Sequence, residues 1–218
     1  MIFNSGLKSL YDKHYFGNKS KSEMALKGSY TTADALDWQE MLSLVHRLYR
    51  DGDYRMSLLI SVQCMWGLRI GDVLKLHWNQ ILNVDELNLL EEKTGKRRII
   101  RMNANLQKHI QDCYTAVGSP VMNQPVFLSR QHTVYSREWV NTKLKQYKIK
   151  YHLHIKNYST HSHRKCFGRH VVEMAGSNAE RALIKLSQIF SHSSCEITRK
   201  YLGLKQEEIG EVYMSLEF

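Results

Sequence analysis

The segment from Tyr54 to Trp66, YRMSLLISVQCMW, is mostly apolar and is punctuated by Asp51-Gly52-Asp53 before it and Gly67 after it. Wound as a helix, it has no broad polar face, and such a helix has to be surrounded by other elements. The chain is therefore expected to fold around it. Upstream, a helical pattern runs from a Thr31 or Thr32 cap to about Tyr49, with Leu36, Met41, Leu42, Leu44, Val45 and Leu48 on its apolar side. Downstream, Ile70, Val73, Leu74 and His77 define the inner stripe of a helix that Trp78 closes.

Two short runs, Glu86–Glu91 and Arg97–Met102, flank Lys93-Thr94-Gly95-Lys96 and read as a β-hairpin. Asn103 or Asn105 opens a helix to about Val117, Gly118-Ser119-Pro120 interrupts it, and Pro125–Leu128 is a short extended piece. Ser136 caps a helix to about Lys148, with Trp139, Val140, Leu144 and Tyr147 inward and Arg137, Lys143, Lys145 and Lys148 outward. The fold class is mainly α with a small β-hairpin (α+β), in one domain over residues 31–218. Residues 1–30 mix five lysines with Tyr11, Tyr15 and Phe16 and read as a basic arm that orders on a phosphate backbone or stays a solvated terminus.

A formal net charge of +10 points to a polyanionic partner, without choosing between DNA and RNA. Cys64, Cys113, Cys166 and Cys195 are far apart and form no Cys-x-x-Cys, so they read as reduced thiols of a soluble, cytoplasmic protein. The His152/His154 and His161/His163 pairs lack the i,i+3 or i,i+4 spacing that puts two metal ligands on one helix face. The Glu91-Glu92 and Glu207-Glu208 pairs read as hydrated surface.

The richest stretch in titratable chemistry is Thr160–Tyr201. THSHRKCFGRHVVEMAG reads as a helix capped by Thr160, with Phe167, Val171, Val172 and Met174 as apolar positions. His161 and Arg164 then share one face near the positive end of the helix, where an anion such as phosphate is favoured. In SHSSCEITRKYLG, Ser193 and Glu196 have the spacing of a capping box, His192 lies in the turn ahead of the helix, and Tyr201 rides on it. Lys205–Leu216 then forms an amphipathic tail whose stripe is Leu204, Ile209, Val212, Tyr213 and Leu216.

His161-x-x-Arg164, His192 and Tyr201, preceded by Gly67-Leu68-Arg69 and a hairpin Lys93, resemble the tyrosine recombinase (phage integrase) family. The resemblance covers about residues 31–218 and implies that family's catalytic-domain fold. It implies a site-specific DNA recombinase, an integrase of a mobile element or an invertase, working through a covalent 3′-phosphotyrosine with no metal or cofactor. Tyr201 would be the nucleophile, and Arg69 and Arg164 would hold the phosphate. His161 would take the Tyr proton, His192 would donate to a non-bridging oxygen, and Lys93 would protonate the leaving oxygen, with Lys96 in reserve. Lys96, Arg97, Lys143 and Lys165 are expected DNA contacts.

Double-stranded DNA is the implied partner, bound by a homotetramer, and the tail resembles the element that docks on a neighbouring protomer. Two features depart from the family: Lys165 follows Arg164 where many relatives have His, and a separate core-binding domain is not seen, so an accessory DNA-bending or clamp protein is a further implied partner. A DNA-binding accessory protein with the same fold, or a type IB topoisomerase-like nicking enzyme, are the alternatives. If Arg69 has no such role, an ion pair with Asp72 is its ordinary use.

Overall fold

A computed structural model describes residues 33–204, 210, 211 and 213–216. The arm at 1–30 and the Thr31/Thr32 cap lie outside the described residues. The elements are α1 (Trp38–Arg50), α2 (Tyr54–Trp66), α3 (Ile70–Leu74), α4 (Trp78–Ile81), β1 (Glu86–Leu90), β2 (Arg97–Arg101), α5 (Ala104–Ala116), α6 (Arg137–Lys150), α7 (Thr160–Ala175), α8 (Ala179–Phe190) and α9 (Cys195–Leu202).

Helix α2 is the centre of the core, as its composition requires. Every residue from Met56 to Cys64 is buried, and the helix packs on α1, α5 and α7. Each fully buried Leu or Ile contributes about 1.5–3 kcal/mol of transfer free energy. Its two serines satisfy themselves on carbonyls: Ser57 Oγ donates to Val45 O at 2.8 Å and Ser61 Oγ to Leu58 O at 2.9 Å. Gly67 ends α2 in the left-handed conformation at φ 57, and a Cβ there would stand 2.4 Å from Phe167 Cδ1. Only glycine therefore fits between the end of α2 and helix α7.

Strands β1 and β2 pair antiparallel, Glu86 opposite Arg101 and Leu90 opposite Arg97, as the hairpin pattern predicts. A second, smaller core forms where α8 and α9 pack on α7, with Leu183, Leu186, Phe190 and Leu202 buried and Phe167, Val171 and Tyr201 against them. A Cβ at Gly168 would stand 2.5 Å from Leu202 Cδ2, so this glycine lets α9 lie close on α7.

Several boundaries differ from the sequence expectation. Residues 33–37 are not helical, and Asp37 caps α1 by accepting from the Glu40 N–H at 2.9 Å. The helix expected from Ile70 to Trp78 is two short ones, because His77 is the extended N-cap of α4 and Trp78 its buried first residue. Helices α7 and α9 are capped by Ser159 and Ser194, each next to the serine or threonine expected to do so. Both sites offer adjacent hydroxyl residues, so local capping energy barely distinguishes them.

Trp139 is not inward: it is 37% exposed and stacks on Tyr135. Met174 is likewise exposed. In the tail, Tyr213 and Leu216 face solvent, while Ile209 and Val212 lie outside the described residues. The four cysteines are free, and among the described residues no helix is long and apolar enough to cross a membrane.

Candidate active site

Two arginines far apart in sequence meet at one backbone carbonyl. Arg69, extended at the N-cap of α3, donates from Nη2 to Phe190 O at 3.0 Å, and Arg164 on α7 donates from Nη2 to the same oxygen at 3.1 Å. Arg164 also donates from Nη1 to Gly67 O, and its guanidinium lies 4.2 Å from the centroid of the Phe190 ring. Phe190 closes α8, whose C-terminal carbonyls carry the negative end of the helix dipole and attract both cations. Burial pushes the Arg164 pKa down to about 10, and the positive charges of Arg69 and Arg98 push the same way. The side chain is still cationic at neutral pH.

Tyr201 on α9 packs edge-on against the same Phe190 ring at 5.6 Å and against His192 at 5.3 Å. Its hydroxyl is buried and has no hydrogen-bond partner of good geometry among the described residues. Burial raises its pKa, and Arg164 and Arg69 partly offset that rise. His192 also packs on the Phe190 ring, at 5.4 Å. Its Nδ1 is 3.0 Å from Thr198 Oγ1, and burial followed by the charges of Arg164, Arg69 and Lys93 lowers its pKa to about 4.

His161, in the first turn of α7, is accessible at the surface, yet packing and then Arg164, Arg137, Lys165 and Lys93 lower its pKa. The shift favours its neutral form. Lys93 lies exposed in the hairpin turn, and its charge acts on both His161 and His192, whereas Lys96 is not among the groups that shift either. The structure thus gathers Arg69, Arg164, His192 and Tyr201 around Phe190, with the charge of Lys93 felt at His192 and those of Lys93 and Arg164 at His161.

The four expected DNA contacts divide. Lys96 and Arg97 are exposed on the hairpin, with Arg97 Nε donating to Asn88 Oδ1 at 3.0 Å. Lys143 lies on α6 with its ammonium 5.5 Å from the Trp139 ring. Lys165 is only 8% exposed, and its ammonium lies 5.5 Å from the Tyr201 ring, beside the site.

Glu91 is a correction. Read as hydrated surface, it is 2% exposed and accepts from Arg69 Nη1 at 2.8 Å and from Arg98 Nη1 at 3.4 Å. Arg69 accordingly pairs with Glu91 and not with Asp72, which accepts from the Glu92 N–H at 2.9 Å. Sequence reasoning also passed over Phe190, Thr198 and the pair Gln63–His163. His163 is fully buried, with Nδ1 2.7 Å from Gln63 Oε1 and Nε2 2.8 Å from Tyr158 OH. Gln63 Nε2 in turn reaches Leu68 O at 3.3 Å and Thr160 O at 3.0 Å, tying the Arg69 turn to the start of α7. A Gln in an otherwise apolar helix was the available signal.

Residues 34–208 match the family model described as the phage integrase family. The chain is 29% identical over 151 residues to the probable integrase/recombinase YoeC of Bacillus subtilis (strain 168), covering 67% of this chain and 76% of that one. Among solved structures, XerA recombinase superposes with a TM-score of 0.64 at 20% identity, over 85% of this chain and 65% of that one. The XerH site-specific recombinase bound to palindromic difH substrate gives 0.63 at 14% identity, over 89% of this chain and 57% of that one. This chain thus spans less than two thirds of either solved relative, and the likeness to both is one of fold.

Proposed function

The chain belongs to the phage integrase family, and from that premise we propose that it is a tyrosine-type site-specific DNA recombinase that cuts and rejoins DNA through a 3′-phosphotyrosine on Tyr201. The observation that carries this reading is the convergence of Arg69 and Arg164 on Phe190 O, in ring contact with Tyr201 through Phe190.

In the forward step the Tyr201 oxygen bonds to the scissile phosphorus and its proton passes to neutral His161. The bond from phosphorus to the 5′ oxygen breaks, and Lys93 gives that oxygen a proton. The broken bond's energy stays in the phosphotyrosine, so a 5′-hydroxyl can reseal the strand by the reverse path. Arg69 and Arg164 face the charge that develops on the non-bridging oxygens; a planar guanidinium suits two such oxygens at once. Thr198 Oγ1 lies 3.0 Å from His192 Nδ1 and donates to Ser194 O at 3.3 Å, which fixes the imidazole ring beside Tyr201, within the site that receives the phosphate in this reading.

Duplex DNA is the proposed substrate, held chiefly through phosphates by the basic surface, and two protomers on each of two sites make a tetramer. The transposon integrase of Tn1549, solved with circular intermediate DNA, shares the fold at a TM-score of 0.54 and favours a mobile-element role. The intact residue set weighs against a purely accessory DNA-binding role.

The test is a library of nicked duplexes randomised across the nick, incubated with the protein in EDTA and searched for SDS-resistant protein–DNA adducts. Wild type is expected to trap a defined sequence and Tyr201→Phe none. An adduct persisting in Tyr201→Phe would move the nucleophile, and no adduct with wild type would sink the reading.

A further inference from the structure

Glu91, just past the end of β1, is almost wholly buried, and three groups donate to its two oxygens. Oε2 accepts from Arg69 Nη1 at 2.8 Å and from Thr94 Oγ1 at 2.9 Å, and Oε1 accepts from Arg98 Nη1 at 3.4 Å. Arg98 Nη2 donates to Trp66 O, so the hairpin is pinned to the end of α2 as well. The Glu91 backbone holds the other end of the turn: its N–H donates to Lys96 O at 3.0 Å and its O accepts from the Gly95 N–H at 2.8 Å. The next amide, Glu92 N–H, is fixed on Asp72. Between these fixed points lies Lys93.

We propose that Glu91 is a positioning residue that makes Arg69 and the Lys93 turn one rigid unit, through its Arg69 ion pair on one side and its Thr94 hydrogen bond on the other. The proposal rests on the reading above, in which Arg69 binds the phosphate and Lys93 protonates the leaving oxygen. A hairpin tip is otherwise the most mobile part of a sheet, and a lysine on it would sweep through solvent. Tying the tip to the group that binds the phosphate places the proton donor relative to the bond that breaks, whatever the rest of the hairpin does. Glu91 itself touches neither phosphate nor leaving group.

The two arms of Glu91 can be separated chemically. A leaving thiolate needs no proton, so sulfur at the 5′ bridging position makes cleavage indifferent to Lys93 but leaves it dependent on Arg69. The duplex recovered from the library is synthesised with oxygen or with sulfur at that position, and single-turnover adduct formation is measured. Thr94→Val, which cuts only the turn arm, is expected to slow the oxygen substrate about tenfold and the sulfur substrate less than about twofold. Glu91→Gln, which weakens both arms, is expected to slow both, about a hundredfold with oxygen and about tenfold with sulfur. Equal slowing of the two substrates by Thr94→Val, or wild-type rates in Glu91→Gln, overturns the proposal.

A DNA-free arm keeps the test independent of the recombinase reading. In Arg69→Gln, the Gly95 and Lys96 amides are expected to exchange with solvent about tenfold faster than in wild type, because the far anchor of Glu91 is gone. Unchanged exchange there would show that the turn does not depend on Arg69 and would end the proposal. Wild-type protein that traps no duplex would instead count against the recombinase reading alone.

Discussion

Helix α7 carries two polar networks at adjacent positions, and they are built on opposite principles. His163 looks into the core, where Gln63 Oε1 takes its Nδ1 proton and Tyr158 OH supplies its Nε2, so each ring nitrogen has a partner. Arg164, the next residue, shares Phe190 O with Arg69 and makes no ion pair of its own with a carboxylate, close to the buried hydroxyl of Tyr201. A buried network that is fully satisfied holds a fold in one arrangement. A buried cluster with surplus positive charge favours an anion.

The comparison breaks most readily at Arg164. Arg164→Met removes a buried cation but leaves Gly67 O without its donor, so adduct formation is expected to fall about a thousandfold with a stability loss smaller than that of the His163 network variants. A loss of stability comparable to that caused by changing His163 would erase the distinction. The mirror experiment is Gln63→Leu, which strands the His163 Nδ1–H and two carbonyls; chemical denaturation should show a loss of about 2–3 kcal/mol.

A pH titration sharpens the same contrast. Burial lowers the His163 pKa to about 3. Between the ordinary value near 6.5 and that level, the unfolded chain binds a proton that the native state refuses. The His163 contribution is therefore complete above about pH 6.5 and is lost as pH falls, by about 1.4 kcal/mol per unit. Urea midpoints measured from pH 7 to 4 should flatten in His163→Gln relative to wild type, and an unchanged slope would place the acid sensitivity elsewhere.

Gly168→Ala probes the joint between the two regions. Its new methyl would meet Leu202 at 2.5 Å and displace α9, so cleavage should fall about tenfold with a stability loss of about 1–3 kcal/mol. The smallest effect is expected at Lys96→Ala, which should lower adduct formation less than about threefold, measured beside Lys93→Ala at about a hundredfold. A larger loss at Lys96 than at Lys93 would exchange the two lysines' roles.

Much of the fold was legible because its signals are local. The apolar run of α2, the Gly67 stop, the Thr94-Gly95 turn and the α5 cap at Asn103 each act over a few residues, and the structure has them where the sequence places them. The choice of Ser159 over Thr160 and of Ser194 over Ser193 was not legible, since neighbouring hydroxyls cap almost equally well and tertiary packing selects between them. His77 and Trp78 were misassigned because an apolar stripe continues across the break between α3 and α4.

By itself, then, the amino-acid order determined where the hairpin turns, most of the helical segments (though not α8 or the break between α3 and α4), and that arginines, histidines and a tyrosine are available in a basic chain. Only the tertiary structure decided that Glu91 and Lys165 are buried, that Arg69 pairs with Glu91 and that Phe190 O gathers both guanidinium groups. The reason is range. Helix periodicity and turn chemistry are settled by neighbours along the chain, whereas the burial and pairing of a charge depend on which remote elements close over it.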